Sequence, residues 1–535
     1  MISDFFKERK ITITEAAKRL DISRITLSKI INGKSSLTPK IAKRFDAVFG
    51  LPAQELLEEQ ASQMAKKQFI SPVSSLCQSN PFFQIDSLDI ERWAKEIDTR
   101  KRLPQLIRIL ILSTSKSITE MGFPANEDSQ RRGFDGKLHA QEPHPWIPLG
   151  ASYWEMGVNK NPKTKLASDL KKSTKKLISA QRKESVLVFV TPRRFESQQK
   201  DLDELKAKYG WKDIRILDAS ILEQWVECSV EAQVWLLKQL KRDTAGVETL
   251  RDYREEWISP LNKKPFPPAL FDELVNEFSG KVYEFFSKDE KSHCSIAADS
   301  EGEASAFLFH TLEKFLGKKN CPTEIAAKQI LLFNTTESVK AIPLRPNNII
   351  AVTSNETVKR KLLEHPNAHF IWIETTDQKR QQCDIALHPI SQDSLFKAAK
   401  KTRLSDSDAL VWENVSCGSI TALNRFLSGN DSSLYPAWTK NESDIDVLIP
   451  LLFAGAWETS DRYSDKGMVC ELNADGATER SIEKGLSHFL NLENSPLWQE
   501  ASSCGVKSKR DLFLICESRI VRSDYENALS VIRKA

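Results

Sequence analysis

Asp135 lies in the stretch RRGFDGKL, and Glu155 follows twenty residues later in SYWEMGVNK. Two carboxylates on neighbouring strands can hold Mg²⁺, which lowers the pKa of a bound water and clamps a phosphodiester. A lysine beside them would stabilise the charge that develops on phosphorus. Between positions 156 and 183 there are nine Lys and Arg against one acid, Asp169. A surface of that charge can hold a nucleic-acid backbone by neutralising its phosphates. The plainer reading has Asp135 closing a turn with Gly136, Glu155 as a solvated strand carboxylate and the lysines as a solvated helix face.

A second group of candidate residues stands near the N-terminus. Thr14 is expected to cap a short helix over 15–20, with Ala17 and Leu20 facing inward. Ser23 is expected to cap a second helix over 24–31 that buries Leu27, Ile30 and Ile31. Asn32-Gly33 stops it, and a third helix after Pro39 is expected to bury Ile41, Phe45, Val48 and Phe49. Two short helices joined by a tight turn and braced by a third match a helix-turn-helix. The exposed side of the second helix carries Arg24, Ile25, Ser28 and Lys29, at the end that enters the major groove in this motif. Arg24 could donate two hydrogen bonds to guanine, and Ile25 could meet a thymine methyl. Lys34, Lys40, Lys43 and Arg44 are placed to meet phosphates. Residues 1–50 hold eleven Lys and Arg against five Asp and Glu. A helical dimerisation or protein-docking module is the alternative for the same pattern.

The chain that positions these groups has 535 residues, 40% apolar and 28% charged, with a net charge of +4. That length implies several domains, and the composition excludes collagen-like and largely disordered chains. The mild net charge means that nucleic-acid binding must come from local patches. The nine cysteines are scattered with no C-x-x-C pair, as expected of reduced thiols in the cytosol. The longest apolar run, Val447 to Trp457, contains Pro450 and Gly455 and is too short to cross a bilayer. The pattern predicts a helix-turn-helix domain over 1–60, a linker over 61–90, and an α/β domain over 91–242 with strands at 186–192 and 214–218. A further α/β region is predicted over 243–535, with strands at 294–298, 330–334, 348–354 and 369–374. His365 and His369 are four apart, but Pro366 separates them, so no helix carries both as metal ligands.

The run EAAKRLDISRITLSKIINGKSSLTPKIAKRF resembles the Cro/phage-repressor (XRE) class and the HigA-type antitoxins within it. The likeness implies that Ser23, Arg24, Ile25 and Lys29 contact DNA. Asp21 stands where the class usually has Gly. Further along, GFDG, GASYWEMG, KLASDLKK, VFVTPRR and LDASILEQW resemble the PD-(D/E)XK restriction-endonuclease-like nucleases, and more narrowly a bacterial family associated with antiviral defence. That resemblance implies Asp135 and Glu155 as metal ligands, with Mg²⁺ as cofactor. Gly157 stands where the core motif has Lys, so the lysine role would pass to Lys160, Lys165 or Lys171.

The segments CSIAADSEGEASAFLFHTLEKF, SCGSITALNRF and LLFAGAW resemble the central part of longer bacterial proteins with an NTPase-like α/β domain that lacks its phosphate loop. The loop ADSEGEAS has neither the Gly pair nor the Lys of G-x-x-x-x-G-K-[ST], so ordinary P-loop hydrolysis is not expected. The likeness reaches PLWQEASSCGVKS, after which those relatives run on, so the chain is read as a natural truncation or a fragment. Together these readings predict a cytoplasmic, multidomain protein. An all-α helix-turn-helix is followed by an α/β restriction-endonuclease-like domain and a degenerate NTPase-like or scaffold region. Its expected partners are double-stranded DNA and a second copy or a defence-complex component, with no membrane. The alternative is a transcriptional regulator or HigA-like antitoxin whose C-terminal part binds a partner and has no catalytic role. A signal-transduction ATPase is a second alternative.

Overall fold

The computed structural model describes residues 6, 9, 11–20, 22–24, 27, 39–50, 82–115, 118–124, 133–195, 199–258, 266–288, 291–316, 328–344, 347–402, 405–429, 434–458, 472, 479–492, 495–500 and 503–534. The chain divides into two compact units, Met1–Gln78 and Ser79–Ala535.

In the first unit, helix α1 spans Ile13–Arg19. Its cap is Thr12, not the expected Thr14: the Thr12 hydroxyl accepts the Glu15 N–H at 3.2 Å. Thr12 wins because Glu15 then falls at the third helical position, where a carboxylate favours the helix start. Leu27 N–H donates to Ser23 O at 3.0 Å, so a new helical turn begins at Ser23. Helix α2 spans Pro39–Phe49. Phe6, Ala16, Ala17, Leu20, Leu27, Phe45 and Phe49 form one small core, with Ile41 packed against it. Val48, expected inside, is exposed, because Phe45 and Phe49 at i and i+4 already fill the inward face of α2. Arg44 also departs from expectation: its guanidinium donates to Leu20 O at 3.1 Å, bracing the end of α1.

The second unit opens with helix α3, Ser87–Trp93, in the segment expected to be a linker. An Asp86–Asp89 capping box starts it, and Ile90 and Trp93 are buried. Helix α4, Thr99–Thr114, then leads into a five-stranded mixed sheet. Its strands are β1 (Ile118–Gly122), β2 (Gly136–Ala140), β3 (Gly150–Met156), β4 (Val186–Val190) and β5 (Asp213–Leu217), in that spatial order. β1, β2 and β3 pair antiparallel, while β3, β4 and β5 pair parallel. Helix α5, Pro162–Thr174, forms the β3–β4 crossover, and helix α6, Gln199–Tyr209, the β4–β5 crossover. Every residue of β4 is buried, as expected for a strand covered on both faces. Helices α7 (Ala219–Val226) and α8 (Val230–Gln239) follow. Trp225 of α7 stacks on Trp146 at 5.6 Å and lies 6.4 Å from Trp154, so both tryptophans expected in the core are there.

A second sheet begins with β6, Val247–Thr249, and helix α9, Asp272–Phe286. Its other elements are β7 (His293–Ala297), α10 (Glu301–Leu316), β8 (Gln329–Phe333), β9 (Ile349–Thr353), α11 (Glu356–Glu364), β10 (His369–Glu374) and β11 (Ile385–Ala386). The spatial order is β11-β7-β10-β9-β8-β6, parallel except for β6 at the edge. His365 ends α11 and His369 begins β10, in keeping with the break at Pro366.

Helix α12, Ile420–Leu427, leads to a C-terminal module. It contains α13 (Glu442–Ala454), a small antiparallel sheet of β12 (Ala456–Glu458), β13 (Leu497–Glu500) and β14 (Ser503–Val506), and helices α14 (Lys509–Cys516) and α15 (Arg522–Lys534). Among the described residues, no helix is long and apolar enough to cross a membrane. The architecture is therefore multidomain: an N-terminal helix-turn-helix, then mixed α/β sheets with helices.

Candidate nucleic-acid interface and metal centre

In the first unit, the buried Leu27 fixes the inward side of the second helix, and Ser23 and Arg24 are exposed at its start. That is the position from which side chains can reach base edges. Ile25, Ser28, Lys29 and Lys34, expected to share this surface, lie outside the described residues, as does Asp21. The side chains of Lys40 and Lys43 also lie outside them.

In the second unit, the alternation of β3 sends Trp154 into the tryptophan cluster and Glu155 to the opposite face, toward α5. Asp135 precedes β2, whose Gly136 pairs with Trp154. Its Oδ2 accepts the Met156 N–H at 2.7 Å, so the carboxylate is held against the end of β3 beside Glu155. The sheet thus brings together the two acids singled out from sequence.

Helix α5 supplies the rest of the cluster. Asn161 caps it, Pro162 opens it, and Leu166 and Leu170 anchor it to Leu187 and Phe189 of β4. On the same face Lys165, Asp169 and Ser173 recur every four residues, and Lys176 follows in the next turn. The Lys165 ammonium lies 2.8 Å from the buried Asp169 carboxylate. Ser173 donates to Glu155 Oε1, and Lys176 donates to the same oxygen at 2.8 Å. The Lys176 ammonium also sits 4.4 Å from the centre of the Phe134 ring. A Cβ at Gly157 would lie 2.7 Å from Lys165 Cγ and 3.2 Å from its Cε, so Lys165 covers the point where a side chain at 157 would start.

The remaining lysine candidates do not join this cluster. Lys160 is exposed in the loop before α5, and Lys171 is exposed on the helix. Arg193 is structural: its guanidinium donates to Ala94 O at 2.8 Å and Val158 O at 3.3 Å. Asp169, Ser173 and Lys176 were not singled out from sequence. For Asp169 and Ser173 the available signal was their polar character on the inward face of an amphipathic helix.

Burial raises the pKa of both acids; Asp169 raises that of Asp135 further, and Asp135 raises that of Glu155. The Met156 N–H and Lys165 oppose this at Asp135; Lys176 and Ser173 oppose it at Glu155. Three carboxylates thus share two ammoniums. Asp135 Oδ1 and Glu155 Oε2 accept no hydrogen bond from the described residues, leaving one oxygen on each for a cation. Among the described residues there is no group of three or more His, Cys, Asp or Glu suited to a metal ion. Two carboxylates completed by water and a phosphate are nonetheless a common way to hold Mg²⁺, so this donor set fits that cation.

Residues 2–56 match the family model for a helix-turn-helix. The match agrees with the geometry of the first unit and supports a DNA-binding protein. No curated protein matches the chain.

Proposed function

We propose that this DNA-binding chain carries a Mg²⁺-dependent phosphodiesterase site of the restriction-endonuclease-like kind at Asp135, Glu155 and Lys165. The observation that carries this reading is the position of Lys165: it reaches from α5 across Gly157 to the face that bears Glu155. Asp135 and Glu155 would hold the cation, which when bound supplies an activated water and a clamp on the phosphate. Met156 N–H and Ser173 orient the two carboxylates. Lys165 would face the charge developing on phosphorus, and the exposed lysines of α5 would hold the backbone. The helix-turn-helix selects the duplex. Region 91–242 is read as the nuclease domain, after a helix-turn-helix domain over 1–60 and a linker over 61–90. Region 243–535 is read as an NTPase-like scaffold without a P-loop. A cytoplasmic antiviral setting and assembly with a second copy or a defence component rest on resemblance alone.

One observation favours the second reading, a regulator or antitoxin with an inactive domain. Lys176 already pairs with Glu155, and a protein cation there can stand in for a metal. The two readings separate in a plasmid-cleavage assay of the full chain with Mg²⁺ or Mn²⁺. The nuclease reading requires cleavage that disappears in the Asp135→Ala/Glu155→Ala variant. Undiminished nicking by that variant overturns the metal site at these two acids, and a footprint on the chain's own promoter without any metal-dependent loss of DNA supports the regulator.

A further inference from the structure

A cavity of about 650 Å³ opens at the carboxyl ends of the parallel strands of the second sheet. Asp299, Glu301 and Thr375 line it from the sheet, and Trp438, Lys507 and Asp511 line it from the C-terminal module. Its size is that of a small-molecule site. Its place is also one that open α/β sheets use for ligands. β10 lies next to β7, yet the chain leaves β7 for β8 on one side and β10 for β11 on the other. The crevice between those two strand ends is a topological switch point.

The charges around the cavity decide what can enter. Asp299 is held by Arg380 at 2.8 Å and Arg510 at 2.5 Å, and Asp511 by Arg425 at 2.5 Å, so these carboxylates are neutralised within the protein. Glu301 is not. Among the described residues its hydrogen-bond partner is the Ser354 hydroxyl, its Oε1 has none, and burial together with Glu248 raises its pKa. Lys507 is the converse: burial lowers its pKa, and among the described residues no carboxylate pairs with it directly, Glu374 opposing the shift only from a distance. Of the charged groups lining the cavity, Glu356 is paired with Lys359 at 3.5 Å, while among the described residues Glu301 has no cation beside it and Lys507 no direct carboxylate partner. A nucleotide triphosphate is disfavoured, because the loop after β7 and the first turn of α10 carry Asp299, Glu301 and Glu303 in place of a glycine-rich phosphate cradle.

We propose that this cavity binds a small zwitterion, with its ammonium end at Glu301 and its anionic end at Lys507. The ligand would touch the sheet with one end and the C-terminal module with the other, so its binding would tie the two together. This inference stands independently of the nuclease reading.

Calorimetry on the full chain tests it with unbranched ω-amino acids of increasing length, from glycine to 8-aminooctanoate. The matching alkylamines and alkanoates serve as single-ended controls. The expected result is a preferred length that binds roughly tenfold or more tighter than either control. Glu301→Gln should remove the advantage over the alkanoate, and Lys507→Met the advantage over the alkylamine. A parallel series of aminoalkyl phosphates shows which anion Lys507 prefers, and a preference for either series supports the site. Absence of binding throughout, or controls that bind as well as the zwitterions, overturns it. That comparison uses the unmodified chain and holds even where a variant fails to fold.

Discussion

The Lys165 side chain lies so close over Gly157 that a Cβ there would sit 2.7 Å from Lys165 Cγ. A strand residue two places after Glu155 would send its side chain along the same face of β3 as Glu155 itself. Lys165 reaches that face from the first turn of α5, and its ammonium is steadied by Asp169 one turn further on. A helix has thus delivered to the carboxylate pair a charge that a strand could have delivered, and the glycine is what makes room for it.

Moving the lysine back tests this equivalence. Lys165→Ala should lower Mg²⁺-dependent cleavage by about 10²–10³, the usual effect of losing one charge-stabilising donor. Adding Gly157→Lys to that variant should restore roughly tenfold of the loss. Initial rates on plasmid, with circular dichroism to verify folding, measure both. A double variant no faster than Lys165→Ala would place the lysine role elsewhere.

Removing the competing cation should sharpen the metal site. Lys176→Gln deletes the ammonium bound to Glu155 Oε1 and should raise divalent-cation affinity several-fold, since a like charge no longer faces the ion. Without metal the same change should cost on the order of 1 kcal/mol, because the pair is partly exposed. Metal titration and denaturant unfolding read the two effects. Unchanged affinity would mean that Lys176 does not compete for the site.

The pH dependence of stability has a definite sign here. Burial raises the Asp135 pKa, so the stability this carboxyl contributes is present below its ordinary pKa and lost as pH rises through the raised one. The Asp135→Asn variant keeps an oxygen for the Met156 N–H but cannot ionise. It should therefore melt progressively above the unmodified chain as pH climbs from acid to neutral in metal-free buffer. Melting curves across that range provide the measurement; a gap that closes with rising pH would contradict the burial argument.

Arg24 is exposed at the start of its helix, so Arg24→Ala should leave the fold of the first unit intact. The loss of sequence-specific duplex affinity should be about 1–3 kcal/mol, the worth of one base-reading arginine. Fluorescence anisotropy with specific and random duplexes distinguishes this from a uniform loss, which would indicate a phosphate contact instead.

What the sequence revealed depends on how locally each feature is encoded. The long apolar runs around 186–192, 348–354 and 369–374 became β4, β9 and β10, because strands covered on both faces leave a nearly continuous apolar signature. β12, β13 and β14 are three or four residues each and were not expected, since so short a run carries no readable period. Thr12 and Thr14 both precede a helical pattern, and Glu15 in the T-x-x-E spacing was the cue for Thr12. Glu155 was legible because an acid flanked by apolar strand residues stands out, and Asp135 in RRGFDGKL was paired with it through the resemblance. Choosing Lys165 over Lys160 and Lys171 required knowing how α5 sits against β3, which is tertiary information. Asp169, Ser173 and Lys176 were hidden for the same reason.

The most direct measurement is a calorimetric titration of Mn²⁺ into the full chain beside its Asp135→Ala/Glu155→Ala variant, since metal binding needs neither a DNA target nor a trigger. The unmodified chain should show one Mn²⁺ site that is absent from a folded double variant. No binding to either, or the same binding to both, would contradict a metal centre at these two carboxylates.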